Sequence, residues 1–322
     1  MSASTAPAWP AQGTPEHPDP MRVVVTGATG RLGRALISAL SDAPFCGPLG
    51  PLAWTRADLD LDEPEPGPLL ARDRPEVVIH CAAWTDVDAC ARDPETARRR
   101  NGDATGVLAE ACAAAGTDLV LVSTNEVFDG RRTDGRGYGP ADPTGPINPY
   151  GASKLLGEER ASAAFARGAA GRAQLGIVRT AWLYGPPGND FPSKLLAAAD
   201  RSRAAGEPLR AVADEIGSPT YAADLAEAIV ELVGSGDVAG THHVVNTGIA
   251  SRAAWARELI RLTGLPVTLE EVPAATWPRA STPPRWAVLE PTPLPGGEPL
   301  RPWQSALADY LPTLLRSRVG AR

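Results

Sequence analysis

Lysine is nearly missing from this 322-residue chain: of its 31 basic residues only Lys154 and Lys194 are lysine, and the rest are arginine. That bias, with abundant alanine, glycine and proline, reads as the mark of a GC-rich genome and carries no function by itself. It makes the two lysines informative, because arginine replaces lysine on a solvated face but not in proton chemistry. Cysteine is scarce as well. Cys46, Cys81, Cys90 and Cys112 form no CxxC pair and have no histidine at ligand spacing, which argues against a structural zinc site or a disulfide framework. Cys81 lies in an apolar run and reads as a core thiol, and the cytoplasm is the default compartment for such a chain. No apolar run approaches the ~18 residues of a membrane span. Residues 1–20, rich in Pro, Ala and Ser, lack a basic start and an apolar stretch, so they read as a disordered tail and not a signal peptide. A net charge of −7 argues against a nucleic-acid or acidic-membrane partner. The short basic run Arg98-Arg99-Arg100 falls in a helical pattern and reads as a solvated face.

What is present is 43% hydrophobic and 21% charged, an ordinary globular balance. From Met21 onward, strand and helix patterns alternate. Strands are expected at 22–26, 52–55, 77–80, 119–122 and 175–178, and helices at 31–40, 68–72, 94–115 and 150–166. Short apolar strands in repeated βα units mean α/β architecture, a Rossmann-type doubly wound parallel sheet with helices on both faces. Beyond Thr180 the spacing changes, with helices expected at 193–205, 221–233, 253–262 and 304–315 and a strand at 242–245. The chain is therefore expected to divide into a dinucleotide-binding domain over 21–180, rejoined by 211–240, and a smaller C-terminal substrate lobe from 181–210 and 241–316.

The first strand runs into Thr26-Gly27-Ala28-Thr29-Gly30-Arg31-Leu32-Gly33. Gly27 permits a tight turn, Gly30 lets backbone amides approach a pyrophosphate, and Gly33 lets the helix pack on the sheet. Directly after the first strand of a βα series, this triplet points to a dinucleotide on the helix N-terminus; the plainer reading is an ordinary turn in a glycine-rich protein. After the second strand, Arg56 is placed to meet the 2′-phosphate of NADP, although Asp58, Asp60 and Asp62 follow it. NADPH is accordingly favoured, with NADH the alternative.

Tyr150 and Lys154 stand four apart at the start of an expected helix and so share one face. The bland reading is a packed tyrosine beside a solvated lysine, in a chain that otherwise uses arginine. The functional reading gives each a task. An ammonium lowers a phenol's pKa from its usual value of about 10, and a phenol tuned in that way protonates a carbonyl oxygen while hydride reaches the carbon. Ser123 or Thr124, at the end of the fourth strand, supplies a hydrogen bond to the same oxygen.

At these segments the chain resembles the extended short-chain dehydrogenase/reductase family over residues 21–316. It is most similar to the rhamnose-type reductases, which reduce the C4 ketone of a dTDP-linked deoxysugar. His80-Cys81-Ala82-Ala83-Trp84-Thr85-Asp86-Val87-Asp88, Ser123-Thr124-Asn125-Glu126-Val127-Phe128 and Arg179-Thr180-Ala181-Trp182-Leu183-Tyr184-Gly185 carry the narrower likeness. The resemblance implies a catalytic set of Thr124, Tyr150 and Lys154. It implies cofactor contacts from Gly30, Arg31 and Leu32 at the phosphates, Asp60 and Leu61 near the adenine, and Ala83, Trp84 and Thr85 along the cofactor's path. Trp182 would stack on or cover the sugar, or else be a core aromatic at a domain junction. Lys194 matches a family lysine after an Asn-x-Phe segment.

One departure stands out. The family often has Asp-Tyr after the catalytic threonine, where this chain has Asn125-Glu126. That carboxylate could bond a sugar hydroxyl or add a second proton donor. Some members bind Mg²⁺ at a homodimer interface; no ligand cluster in this sequence carries that over, so no metal ligands are assigned and Mg²⁺ and a homodimer stay open. Two alternatives remain: a nucleotide-sugar epimerase or dehydratase with tightly bound NAD, and a non-catalytic dinucleotide-binding subunit that regulates a partner enzyme.

Overall fold

The structure is a computed structural model and describes residues 20–168 and 173–319; the expected tail, apart from Pro20, lies outside the described residues. The strands of the first half are β1 (Val23–Thr26), β2 (Leu52–Trp54), β3 (Val77–His80), β4 (Asp118–Thr124) and β5 (Leu175–Thr180). They alternate with α1 (Arg31–Ser41), α2 (Pro66–Asp73), α3 (Val87–Arg92), α4 (Pro94–Ala97), α5 (Ala104–Ala115) and α6 (Pro149–Arg167). The rest of the chain adds α7 (Phe191–Ala205), α8 (Ala222–Gly234), α9 (Arg252–Thr263) and α10 (Trp303–Val319).

All five strands are parallel, in the order β5-β4-β3-β1-β2, and Gly240–His243 adds a sixth parallel strand outside β5. The pleat sends alternate side chains to opposite faces. Val23 and Val25 join Leu36, Ile79 and Ile229 in a core between the sheet, α1 and α8. Val24 joins Val78, Leu108, Leu119 and Ala161 in a second core on the other face. Two apolar faces on one sheet require helices on both, which is the doubly wound arrangement expected. The strand order reverses between β1 and β3, and open parallel sheets bind ligands in the crevice at such a point.

The C-terminal lobe has its own core around Tyr184, Leu196, Trp255, Leu259, Leu307 and Tyr310. Its strands are short. Ile216–Gly217 pairs with both Ala250–Ser251 and Trp286–Ala287, and Leu209–Val212 pairs with Leu269–Val272.

Three expectations need correction. The boundary at residue 241 is misplaced, because Gly240–His243 hydrogen-bonds along β5 in the central sheet; the strand expected at 242–245 begins earlier and belongs to that sheet, not to the lobe. The returning segment also starts too early at residue 211, since Leu209–Val212 pairs inside the lobe. The single helix expected over 94–115 is α4, then a π-helical turn over Arg98–Asp103, then α5. Asn101 and Gly102 are buried in that turn. Such bulges cluster at functional sites because they redirect one side chain out of the helical register.

Candidate active site

The glycine loop closes against the segment that follows β3. A Cβ on Gly27, whose φ is +63°, would lie 2.8 Å from the Ala82 nitrogen, and one on Gly33 would lie 2.2 Å from the Gly27 carbonyl oxygen. Both glycines are therefore required by close packing of backbone. Gly30 is the N-cap of α1 and offers no side-chain cap, so the first amides of the helix are available to an anion. Leu32 buries its side chain in the core, which leaves only its backbone for the expected phosphate contact. Arg31 has a second attachment. Its Nε donates to the Gly185 carbonyl at 3.0 Å and its Nη2 to the Gly188 carbonyl at 2.7 Å, so the guanidinium ties the glycine loop to the lobe.

Ala83, Trp84 and Thr85 follow β3, and the π-helical turn holds Trp84. Asn101 Oδ1 accepts from the Trp84 amide at 2.7 Å, and its Nδ2 donates to the Trp84 carbonyl at 2.9 Å and to Ser153 Oγ at 3.0 Å. One buried side chain thus couples the post-β3 segment to α6. A lone Asn among arginines was the sequence signal, and it was missed.

Beyond β2, Arg56 is exposed and lies 3.8 Å from Asp60 and 3.6 Å from Asp62. Asp62 also pairs with Arg99 at 3.0 Å and Arg100 at 2.6 Å, and those guanidiniums hold its carboxyl below the usual carboxylate range. The basic run is more than a solvated face: two of its three arginines fold back onto the loop after β2, beside Arg56. Asp60 and Leu61 lie on that same loop.

Thr124 ends β4 and Tyr150 and Lys154 start α6, so the sheet and one helix bring the three together. Asn148 caps α6 by accepting from the Gly151 amide at 2.8 Å. Gly151 is forced, since a Cβ there would sit 2.1 Å from the Glu126 carbonyl oxygen. The Tyr150 phenol lies beside Thr124, and its pKa is pushed above its ordinary value, first by burial and then by the Glu126 charge. The expected lowering by Lys154 is not what the protein's own groups produce; they hold Tyr150 as a neutral phenol, the form that donates. Lys154 is buried, and burial pushes its ammonium down to about 8 against the opposing pull of Glu158. Glu158 is itself held by the buried Arg179, 2.6 Å away. His80 lies between Thr26 Oγ1 at 2.8 Å and Thr105 Oγ1 at 3.4 Å, and burial with the nearby Lys154 lowers its pKa to about 3.

Beside this group opens a cavity of about 800 Å³, lined by Gly30, Arg31, Thr85, Asn125, Glu126 and Trp182 among others. Its wall also carries Lys194, Glu215, Arg252 and Arg279. Glu215 and Arg279 come from irregular segments and Arg252 from the start of α9, so no local pattern brings the three together. The buried Glu215 pairs with Arg279 and lies 3.8 Å from Arg252. Arg252 in turn places its guanidinium 3.5 Å from the centre of the Trp182 ring. Among the described residues no cluster of His, Cys, Asp and Glu could hold a metal ion, and no helix is long and apolar enough to cross a membrane.

Residues 21–316 match the family model described as the RmlD substrate binding domain. The chain belongs to that family. As an RmlD-family chain it is 36% identical over 307 residues to a dTDP-4-dehydrorhamnose reductase of Streptomyces griseus, covering 92% of this chain and 95% of that protein. It is 38% identical over 297 residues to the dTDP-4-dehydrorhamnose reductase of Mycobacterium tuberculosis strain H37Rv, covering 90% and 92% respectively. Among solved structures, a dTDP-4-dehydrorhamnose reductase of Clostridium acetobutylicum superposes with a TM-score of 0.82 at 31% identity, covering 92% of this chain and all of that one. The Bacillus anthracis enzyme, solved in complex with NADP, gives 0.81 at 30% identity with the same coverage.

Proposed function

We propose that this RmlD-family protein reduces the C4 ketone of dTDP-4-dehydrorhamnose, or of a close deoxysugar relative, to the alcohol. The observation that carries this reading is the meeting of Thr124, Tyr150 and Lys154 at the carboxyl end of the parallel sheet, beside a cavity large enough for a nucleotide sugar. The names of the relatives support the substrate.

The residues also fit a dinucleotide. Gly27 and Gly33 leave no room for a side chain, and the uncapped amides of α1 would receive the pyrophosphate. Arg56, with Arg99 and Arg100, gives the loop after β2 the charge to hold a 2′-phosphate, which favours NADPH over NADH; a related structure holds NADP. Reduced nicotinamide, when bound, supplies the hydride that no side chain can. The protein does the rest. Tyr150 donates the proton to the ketone oxygen, Thr124 hydrogen-bonds that oxygen, and Lys154 fixes the nicotinamide ribose. Lys194, and Arg252 and Arg279 through the one charge they have in excess over Glu215, offer positive charge to the substrate's diphosphate. Trp182 faces the sugar. We also place the enzyme in the cytoplasm, where the four free cysteines suit a reducing compartment.

The test is an assay of NADPH oxidation with the 4-keto sugar nucleotide, for wild type and Tyr150→Phe. Loss of about 10²–10⁴-fold is expected, the usual contribution of a positioned acid. Activity within a few-fold of wild type overturns the acid role. Purified protein that carries NAD⁺ and oxidises no NADPH would instead indicate an epimerase or dehydratase.

A further inference from the structure

Glu126 is a carboxylic acid built into the site that the mechanism above leaves without a task. The turn Asn125–Val127 that carries it begins at Thr124, whose Oγ1 accepts from the Glu126 amide at 3.2 Å. The same threonine side chain lies beside the Tyr150 phenol, as does the Glu126 carboxyl. Glu126 Oε2 accepts from Asn148 Nδ2 at 2.6 Å, and that amide also donates to the Thr282 carbonyl at 3.1 Å. Since Asn148 caps the helix that begins with Pro149 and Tyr150, the carboxyl is fastened to the base of the catalytic helix. Backbone contact at Gly151 keeps turn and helix from separating.

The carboxyl also lines the cavity, so solvent and substrate reach the group that Asn148 holds. It makes no ion pair among the described residues. Arg252 and Arg279, the cations that face it, are committed to Glu215. The groups facing Glu126 are thus Arg252 and Arg279, which favour its charge, and Glu215, Cys90 on α3 and Tyr150 on α6, which do not. Burial is the largest influence and raises its pKa above the ordinary glutamate value. Burial thus works against ionisation of this carboxyl, while the Asn148 amide works for it.

We propose that Glu126 is a second proton carrier: it returns to Tyr150 the proton that Tyr150 gives to the substrate. This rests on the reductase reading above. In the first transfer the phenol O–H bond breaks and an O–H bond forms on the substrate oxygen. In the second, the Glu126 O–H bond breaks and the phenolate regains its proton. The carboxylate then takes a proton from water in the cavity. Nothing is oxidised or reduced in these steps.

Glutamine keeps the shape and hydrogen bonding of Glu126 but carries no proton. Glu126→Gln is expected to lower kcat about tenfold or more and to raise the solvent deuterium effect on kcat, with KM within about twofold. Glu126→Asp should recover part of the loss. In Glu126→Ala, added formate or acetate should restore kcat in proportion to its concentration, because the cavity admits a small acid. The apoprotein should show a carboxyl infrared band that titrates above the ordinary glutamate range and disappears in Glu126→Gln, a reading independent of activity. An unchanged kcat in Glu126→Gln, a loss confined to KM, no rescue of the alanine variant, or no such band each overturns the proposal. A KM-only loss would mean that Glu126 merely bonds a sugar hydroxyl. Should wild type reduce no 4-keto sugar nucleotide, the reductase reading fails and the relay fails with it, whatever the band shows.

Discussion

Arg252 covers one face of the Trp182 indole, its guanidinium carbon 3.5 Å from the ring centre. The same ring packs on Gly217: a Cβ built there would lie 2.5 Å from Cε2, 2.7 Å from Cζ2 and 2.9 Å from Cδ2. The indole so packed lines the cavity. It is a wall, held by a backbone with φ of +43° and by the parallel ring of Trp255. Gly217→Ala must push the wall aside, since a backbone-anchored methyl has nowhere else to go. The expected result is a several-fold rise in KM for the sugar nucleotide and a loss of about 1–3 kcal/mol of stability, as overpacking costs elsewhere. An unchanged KM would show that Trp182 does not bound the sugar site.

Two buried histidines should make the protein acid-labile. Burial and Lys154 lower His80 to about 3, and burial and Arg179 lower His243 to about 4, while the unfolded chain takes up these protons near the ordinary value of about 6.5. Their contribution is intact above that value and is lost as pH falls below it, toward the folded-state values. Near pH 5 each costs about 2 kcal/mol. Thermal melts between about pH 7.5 and 5 are expected to fall in Tm, and a flat profile would contradict the burial of both rings as neutral groups.

The sheet was legible in the sequence because its strands are short, β-branched and buried on both faces, as in Val23–Thr26 and Val77–His80. Tyr150 and Lys154 were legible because a helix puts residues four apart on one face, and because lysine is so rare here. Arg252, Arg279 and Glu215 were not. They reach one cavity from α9 and from irregular segments, and their mutual pairing is a product of the lobe's folding that no local pattern encodes. The lobe's two-residue strands also escape notice, since a period of two needs more than two residues to show. Asn125 illustrates the gap. Its motif marked it, but only the fold reveals that its Nδ2 donates to the Ala287 carbonyl at 3.3 Å and so ties β4 to the lobe.

Arg56 is exposed and paired only loosely with Asp60 and Asp62, so its removal should leave the fold intact. Arg56→Ala is expected to weaken NADPH binding by about tenfold, the order of one charge-assisted contact to phosphate, and to leave NADH nearly unaffected. Because Arg99 and Arg100 sit on the same aspartate, Arg56→Ala combined with Arg100→Ala should erase the remaining preference. Titration of each variant with both cofactors measures this. Equal loss for the two cofactors would place these arginines away from the 2′-phosphate.

Lys154 gives the clearest test of charge against chemistry. Burial lowers its ammonium to about 8, so above that pH the site loses the cation proposed to fix the ribose. The wild-type kcat/KM should fall on an alkaline limb near pH 8, which reports a group of the free enzyme. Lys154→Arg keeps a charge that does not titrate in this range, so the limb should vanish. The level should still stay well below wild type, because a planar guanidinium cannot take the position of a compact ammonium in a buried site that fits lysine. Lys154→Ala should lose both the limb and most of the activity. An arginine variant with full activity would mean that charge alone suffices at this position, and an unchanged limb in that variant would assign the titration to another group.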